Sequence, residues 1–364
     1  MKKFIAMVSV AVLALSLASV PAVSAQADES DVEWAKMTLT VSAGFPDDNV
    51  AFDIFNRAKE KIDERMDGAI SFEYYGNNTL VAGTEIYDGV INGATDIGFW
   101  QTSYASSRFP ILTLFDMPGL AFSGSTAASY AVRDFINENE LEEISDVHVL
   151  MPSAVGSSAI VFADEITTVE DLAGKQVRAA GFAAKILELA GAIPTSMEWS
   201  ECYEGLRTGL VDGVYSHLEA CCNANLYEVA PNVLILPFNN STNVIIMNKE
   251  KFESMPVEQQ ELLDEIFNEV FEEYGCLYMC NPELIPKMQE GIPQFATVNW
   301  LEGEELEKMM EKDKPMVDEY IQSLNDAGYD GDGAYARMQE LVEKYNAEFP
   351  AEEAKARITK YIED

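Results

Sequence analysis

EIYDGVINGATDIGF, residues 85–99, aligns with ECYEGLRTGLVDGVY, residues 201–215. Five of the fifteen aligned pairs are identical, namely Glu85/Glu201, Tyr87/Tyr203, Gly89/Gly205, Gly93/Gly209 and Asp96/Asp212. Each segment has the pattern of a short helix, a glycine that ends it in a left-handed cap, and a buried strand. An internal repeat of this kind predicts two lobes with one copy in each. Because helix–glycine–strand units are common, a chance similarity stays open as the alternative.

The residues before the first copy predict a βαβ unit. Residues 37–43 and 70–75 have strand patterns, and Asn49 is a suitable N-cap for the helix between them. That helix has an apolar face formed by Ala51, Ile54, Phe55, Ala58, Ile62 and Met66. Two strands joined in this way are parallel, so the chain is predicted to be an α/β protein.

The second half of the chain predicts the rest of a two-lobed fold. Strand patterns at 233–236 and 243–247 return the chain toward the first lobe, a long amphipathic helix spans 302–325, and further helices form a C-terminal extension. The assigned boundaries are 1–25 for an export signal, 26–36 for a leader, 37–155 and 244–285 for lobe one, 156–243 and 286–330 for lobe two, and 331–364 for C-terminal helices.

The first 25 residues resemble a secretory signal. Lys2 and Lys3 precede an apolar run over residues 4–17, and the small residues Val23-Ser24-Ala25 form a cleavage site after Ala25. A transmembrane anchor is disfavoured because the run is short. We therefore expect a mature protein that is soluble in the periplasm.

The charge of the chain excludes some functions. Its formal net charge is −38, and such a field repels phosphate backbones, so nucleic acid is not an expected partner. A ligand that is itself an anion needs a local positive group. Five cysteines and only two histidines do not support a zinc site, and no cofactor is expected. The cysteines are instead predicted to be buried small hydrophobic residues.

Candidate ligand residues follow the predicted strand ends. In open α/β sheets ligands bind beyond the carboxyl ends of strands, which points to Trp100 and Gln101 after the first copy and to Ser216 and His217 after the second. Arg178 ends another apolar strand and precedes a helix, so it can hold a carboxylate through two parallel hydrogen bonds. The alternative is an arginine that pairs with an acidic neighbour to hold the lobes together.

Several segments resemble the substrate-binding subunits of TRAP transporters, the DctP-type family. The similar segments are residues 75–80 with 85–98, 109–120, 172–181 around Arg178, 192–197 with 201–213, and 225–229, in family order over nearly the whole mature chain. The resemblance implies a two-lobed periplasmic-binding-protein fold with a hinge, in which a long helix, here 302–325, bridges the lobes. It also implies a receptor, and not an enzyme, that closes its lobes on an organic anion and docks on a membrane permease. It also places Arg178 on the family's carboxylate-binding arginine.

Two departures from the family pattern bear on the ligand. Residues 214–217 differ from the Asn-containing segment of several acid-binding members, and Ser157-Ser158 replaces a second basic residue of some members. Aromatic side chains near the predicted cleft suit a ligand with an apolar body. The full set of predicted ligand residues is Arg178, Trp100, Gln101, Tyr104, Phe45, Trp199, Tyr203, Tyr215, Ser216, His217, Asn239 and Asn240.

The predicted function is thus a monomeric periplasmic receptor that binds a small organic acid and delivers it to TRAP permease subunits. Three alternatives remain. One is a receptor for a neutral or zwitterionic solute in an aromatic pocket, and another is a receptor for an ATP-driven importer. The third is a secreted enzyme on a two-lobed scaffold, with His217 or Cys202 as the reactive group.

Overall fold

The computed structural model describes residues 33–45, 49–155, 157–179, 181–237, 241–276 and 281–362. The predicted export signal over residues 1–25, Asn239, Asn240 and Cys280 lie outside these ranges. The other four cysteines, Cys202, Cys221, Cys222 and Cys276, are buried, which confirms their predicted placement. Within the described ranges, the helices are too short or too polar to cross a bilayer.

The described elements alternate between strands and helices. The strands are β1 (Met37–Ser42), β2 (Ile70–Tyr75), β3 (Ile97–Gln101), β4 (Val147–Ala154), β5 (Ser158–Phe162), β6 (Gln176–Arg178), β7 (Ile193–Thr195), β8 (Gly213–His217), β9 (Asn232–Leu236), β10 (Thr242–Asn248) and β11 (Thr297–Trp300). The helices are α1 (Asp53–Arg65), α2 (Ile86–Ile91), α3 (Ser125–Glu138), α4 (Gly181–Leu189), α5 (Cys202–Thr208), α6 (Leu218–Asn223), α7 (Lys249–Glu253), α8 (Val257–Val270), α9 (Pro286–Gly291), α10 (Gly303–Asp326), α11 (Gly331–Glu348) and α12 (Ala351–Thr359). The α/β class is confirmed.

Lobe one is built on a sheet with the order β2-β1-β3-β10-β4. Strands β1, β2 and β3 are parallel, whereas β10 runs antiparallel to both of its neighbours. The sheet is buried on both faces, as expected for a largely parallel sheet covered by helices. Val244 and Ile246 of β10 pack in the core on one face, and Ile245 and Met247 pack in the core on the other.

Lobe two is built on a sheet with the order β11-β9-β5-β8-β6-β7. Its central strand β5 is fully buried and alternates between two cores: Ala159 and Val161 face one, and Ile160 and Phe162 face the other. Strand β5 is antiparallel to β8 and β9, whereas β6 is parallel to β7 and β8. The chain passes from one sheet to the other between β4 and β5 and returns between β9 and β10, and we call these two crossings the hinge.

The two repeat copies occupy equivalent places in the two lobes. Each supplies a helix, α2 or α5, and the strand that follows it, β3 or β8. Gly93 and Gly209 both have a φ of 71°, in the left-handed region where glycine is favoured. The Asp96 and Asp212 carboxylates accept hydrogen bonds from backbone N–H groups of the neighbouring parallel strand, at 2.9 and 2.7 Å. These shared roles support a structural repeat over a chance similarity.

Helix α10 bridges the lobes, and the packing of its two halves differs from the predicted boundaries. Met309 packs in the core of lobe two, but Val317, Ile321 and Leu324 pack in the core of lobe one. Residues 317–324 therefore do not belong to lobe two, because their apolar face is covered by α3 and α11 of lobe one. Conversely, Ile285, predicted in lobe one, packs in a core of lobe two.

The C-terminal helices also contact both lobes. Leu341 and Tyr345 of α11 complete the lobe-one core beside α3, whereas Ile358 of α12 packs in a lobe-two core. Pro350 lies at the turn between the two helices. The C-terminal extension is thus a second helical connection between the lobes, beside α10.

Candidate functional site

A cavity of about 650 Å³ lies between the lobes, at the strand ends that the repeat indicates. This volume is typical of a site for a small molecule. Ser103, Ser106 and Asp116 line it from lobe one, and Met316 lines it from α10. Its remaining described lining residues come from lobe two and the hinge: Arg178, Gly181, Phe182, Ala183, Lys185, Tyr215, Ser216, His217 and Ser241.

Arg178 is held in the cavity wall by backbone carbonyls. It is the last residue of β6, its Nε donates to the Met197 carbonyl oxygen at 3.1 Å, and its Nη1 donates to the Tyr215 carbonyl oxygen at 3.4 Å. The guanidinium carbon lies 5.6 Å from the ring centroid of Trp199, within the range of a cation–π contact. These contacts fix the guanidinium plane. Because backbone carbonyls and the indole ring are neutral, they leave its positive charge uncompensated.

Arg178 has no acidic partner, unlike most arginines that the structure describes. Other arginines form ion pairs with carboxylates, as in Arg65–Glu269, Arg108–Asp88, Arg133–Glu272, Arg207–Glu204 and Arg337–Glu138. Among the residues that the structure describes, no carboxylate lies within 4.0 Å of the Arg178 guanidinium. This speaks against the alternative in which Arg178 holds the lobes together through an ion pair. In a chain of net charge −38, a partly buried guanidinium without a carboxylate partner is a strong local anion site.

The end of β8 supplies the wall next to Arg178. Tyr215, Ser216 and His217, all predicted as ligand residues, line the cavity. The Tyr215 hydroxyl donates to Ser158 Oγ at 2.6 Å, which fixes the ring against β5. Burial lowers the pKa of His217 to about 4, and a hydrogen bond with the Ser157 backbone, which raises the pKa, offsets only part of this shift. His217 is therefore a neutral imidazole at neutral pH, and its Nδ1 is buried with no hydrogen-bond partner in the described structure.

Asp116 places a buried carboxyl group on the lobe-one side of the same cavity. It is 3% exposed, and burial raises its pKa to about 7. The Thr102 hydroxyl donates to Oδ2 at 2.6 Å and the Thr242 N–H donates to Oδ1 at 2.9 Å, which favours the ionised form but does not offset burial. Asp116 was missed from the sequence. Asp116 could have been identified as a candidate because it lies in segment 109–120, one of the segments that resemble the family.

Trp100 is placed differently from the prediction. Its side chain is fully buried in the lobe-one core, with the ring centroid 4.0 Å from that of Phe109 and 5.3 Å from that of Tyr87. It does not line the cavity, because along β3 it points toward α2 and the core rather than toward lobe two. The prediction of a ligand contact by Trp100 is corrected accordingly.

Phe45, Tyr104 and Tyr203 are also outside the cavity lining. Phe45 packs edge-on against Phe52 and Phe99 at 5.3 and 4.9 Å. Tyr104 is 42% exposed, between the lining residues Ser103 and Ser106. Tyr203 lies on the surface of lobe two, where its hydroxyl donates to Glu228 at 2.6 Å. Of the predicted aromatic set, Tyr215 lines the cavity and Trp199 lies beside Arg178, while Phe182, a lining residue, was missed.

The buried polar group closest to the hinge on lobe one is also one that the sequence did not indicate. Asn243 of β10 pairs with Gln101, a predicted ligand residue, across the sheet. Asn243 is 1% exposed, and neither its Nδ2 nor its Oδ1 has a partner among the described residues. Gln101 itself is half-buried and does not line the cavity. An orphaned amide beside the hinge is a candidate ligand contact in a conformation with the lobes closed.

Metal chemistry has no support in the part of the chain that the structure describes. There, no group of three or more His, Cys, Asp or Glu side chains is arranged to hold a metal ion. The groups that converge on the cavity are a guanidinium, hydroxyls, a neutral imidazole, a largely buried carboxyl and the ammonium of Lys185, which pairs with Glu188. Such a set can bind and orient a small anion with polar substituents.

Comparison with known protein families gives one match over most of the chain. Residues 41–323 match the family model DctP, bacterial extracellular solute-binding protein, family 7. The matched region includes both sheets, the hinge segments, the interlobe cavity and most of α10. The C-terminal helices α11 and α12 follow it.

Similar proteins share the architecture at low sequence identity. The ectoine-binding periplasmic protein TeaA of Halomonas elongata is 24% identical over 317 residues, which is 82% of this chain and 86% of that protein. A TRAP periplasmic solute-binding protein from Desulfovibrio salexigens is 26% identical with a TM-score of 0.77, over 85% of this chain and 97% of that one. A marine metagenome TRAP solute-binding protein specific for aromatic acid ligands, in complex with 3-hydroxybenzoate, is 23% identical with a TM-score of 0.75, over 86% of this chain and 99% of that one.

Proposed function

Because the chain belongs to family 7 of the bacterial extracellular solute-binding proteins, the periplasmic receptors of TRAP transporters, we propose that it binds a small monocarboxylate with an apolar or aromatic body. The observation that carries the proposal is the unpaired guanidinium of Arg178 in the wall of the interlobe cavity. The carboxylate of the ligand accepts hydrogen bonds from this guanidinium, whose orientation is already fixed by two backbone carbonyls.

The rest of the cavity suits the body of such a ligand. Phe182, Tyr215 and Met316 offer apolar and aromatic surface, and Ser103, Ser216 and Ser241 offer hydroxyl groups for polar substituents. Support also comes from the structural relative that is specific for aromatic acid ligands. Since Ser157 and Ser158 stand where a second basic residue would bind a second carboxylate, one carboxylate is favoured over two.

The test is a melting-shift screen followed by calorimetry, with benzoate, 3-hydroxybenzoate and phenylacetate against succinate and galacturonate. We expect a monocarboxylate to raise Tm and Arg178→Ala to remove that shift, with affinity falling at least about 100-fold because two charge-assisted hydrogen bonds are lost. Arg178→Lys keeps the charge but not the two-pronged geometry, so we expect an intermediate loss. Arg207→Ala is the matched control, because Arg207 is exposed and pairs with Glu204 on the same helix.

Two outcomes would contradict this proposal. One is unchanged monocarboxylate affinity in Arg178→Ala, provided that the Tm of the unliganded variant shows a folded protein. The other is binding of the dicarboxylate in preference to every monocarboxylate. Recovery of the bound acid chemically unchanged, by mass spectrometry, is the expected result for a receptor, whereas turnover would favour the secreted-enzyme alternative.

A zwitterionic ligand is the second candidate, and Asp116 is the observation that favours it. Asp116 and Arg178 line the same cavity from opposite lobes, so a molecule with a carboxylate and a cationic group can contact both. The relative TeaA is an ectoine-binding protein, and ectoine carries both charges. Adding ectoine and glycine betaine to the screen tests this candidate directly.

TRAP solute-binding proteins work with membrane permease subunits, and we propose that this chain delivers its ligand to such a permease as a monomer after hinge closure. The hinge segments and α10 are the elements that connect the lobes and allow closure. We also propose that residues 1–25 are removed after export. Light scattering on the purified protein tests the monomer, and the intact mass of the periplasmic form tests cleavage after Ala25.

A further inference from the structure

A second cavity, of about 460 Å³, lies between the lobes on the side of the C-terminal helices. Residues 121–124 line it from lobe one, Ile235, Met288 and Trp300 line it from lobe two, and Ala354 and Ile358 of α12 form a third wall. Among the described residues, His217 is the one that lines both this cavity and the cavity with Arg178. We call this second space the hinge cavity.

The charges around the hinge cavity disfavour an anionic ligand. Among the described residues that line it, the cation is Lys355. Lys355 forms an ion pair with Glu302, and its Nζ lies 5.8 Å from the Trp300 ring centroid. Glu352 adds a second carboxylate to the lining. Because the carboxylates outnumber the cation here, an organic acid is repelled from this cavity and directed to Arg178.

The walls of the hinge cavity are mainly apolar. Phe122, Leu218, Ile235, Met288 and Ile358 are all buried or nearly buried side chains that line it. A dry apolar cavity of about 150 Å³ is enough to hold one benzene molecule. The hinge cavity, about three times that size, suits a molecule of one or two fused rings.

His217 adds one specific polar requirement. Its Nδ1 is buried without a partner in the described structure, and the ring makes a hydrogen bond with the Ser157 backbone. The imidazole is neutral at neutral pH because burial lowers its pKa to about 4. A neutral imidazole has one acceptor nitrogen, and because the ring lines the cavity, an apolar ligand gains most if it carries an N–H or O–H donor.

We propose that the hinge cavity is a second binding site, for a small uncharged and mainly apolar molecule that donates one hydrogen bond to the imidazole of His217. Its ligand class is distinct from that of the Arg178 cavity, since the two cavities differ in charge. The walls come from both lobes and from α12, so the site exists only in the folded two-lobed chain.

Indole and indene form a matched probe pair, because they share a two-ring shape and indene lacks the N–H donor. With the full mature chain, we expect saturable binding of both by calorimetry or ligand-observed NMR, with indole about fivefold tighter for one net hydrogen bond. In His217→Phe the preference for indole should disappear. Benzoate at saturation should not displace indole, because the acid occupies the other cavity.

Cavity-filling variants test the location. Ala354→Trp on α12 and Ala121→Trp on lobe one should each reduce indole affinity at least tenfold, while the melting shift produced by the acid stays unchanged. Two variants on different walls keep the test valid if one of them does not fold. Absence of saturable indole binding, equal affinity for indole and indene, retention of binding in a folded filling variant, or competitive displacement by benzoate would each overturn the proposal.

Discussion

The ionisation of Asp116 gives a prediction that separates the two candidate ligand classes. Burial raises the pKa of this carboxyl to about 7 in the unliganded protein, so it changes charge between pH 6 and pH 8. A bound anion in the same cavity disfavours ionised Asp116 and raises that pKa further. Binding of a monocarboxylate then takes up a proton, and its affinity increases as the pH falls through 7.

The size of the effect follows from linkage. If the bound acid raises the Asp116 pKa from about 7 by one unit or more, the dissociation constant should be about five- to tenfold lower at pH 6 than at pH 8. The limiting value corresponds to about 1.4 kcal/mol. A ligand carboxylate with an ordinary pKa of ~4 stays ionised throughout this window. His217, the other titrating group in the cavity wall, stays neutral because its pKa is lowered to about 4.

A zwitterion reverses the sign of this dependence. Its cationic group favours ionised Asp116, so its affinity should increase as the pH rises from 6 to 8. The assay is isothermal titration calorimetry at pH 6, 7 and 8 in two buffers with different ionisation enthalpies, which also counts the protons taken up or released. Asp116→Asn is the control, because its amide oxygen can still accept from the Thr242 N–H. Affinity that is equal at pH 6 and pH 8, or an unchanged pH profile in Asp116→Asn, would refute this reasoning.

Three further variants test the packing around the site. Asp313 of α10 is 1% exposed, neither of its oxygens has a described partner, and burial raises its pKa to about 7, so stability falls as the pH rises from 4 to 7. Asp313→Asn should therefore raise the free energy of unfolding more at pH 8 than at pH 5, by about 3 kcal/mol in urea unfolding. Gly209→Ala should cost about 1 kcal/mol in urea unfolding, since its φ of 71° disfavours a side chain, and an unchanged midpoint would contradict the left-handed cap. Asn243→Val should raise the unliganded Tm, because about 1–3 kcal/mol of unsatisfied amide burial is removed, and it should weaken acid binding; a lower Tm would show that the amide is satisfied.

Local patterns predicted the elements well where a short stretch determines them. Strand β2 begins and ends at the predicted residues, and Asn49 caps the 3₁₀ turn that leads into α1 by accepting from the Ala51 N–H at 2.9 Å. The repeat also placed β3 and β8 correctly in two different sheets. Short elements such as β11 and α6 were not predicted, because a few residues carry too little periodicity to define a strand or helix.

The site was predictable only as far as strand ends determine it. Arg178, Tyr215, Ser216 and His217 follow from the rule that ligands bind at the carboxyl ends of strands. The same rule also points to Trp100, which is buried instead because Phe109, from a later loop, packs onto its ring. Asp116 was equally inaccessible to local reasoning, since its environment is created by Thr242, from a strand that follows the whole of lobe two in sequence.

The position of β10 has a consequence for how the protein folds. Lobe two can assemble its sheet interior from the continuous stretch 158–236 and lacks only the edge strand β11, whereas the interior of lobe one needs β10 between β3 and β4. Until residues 242–248 arrive, β3 and β4 each keep an unpaired edge, and the residues that β10 buries on both faces have no partner. Pairings this distant in sequence slow folding, so we expect lobe two to become protected from hydrogen exchange first and lobe one to follow it.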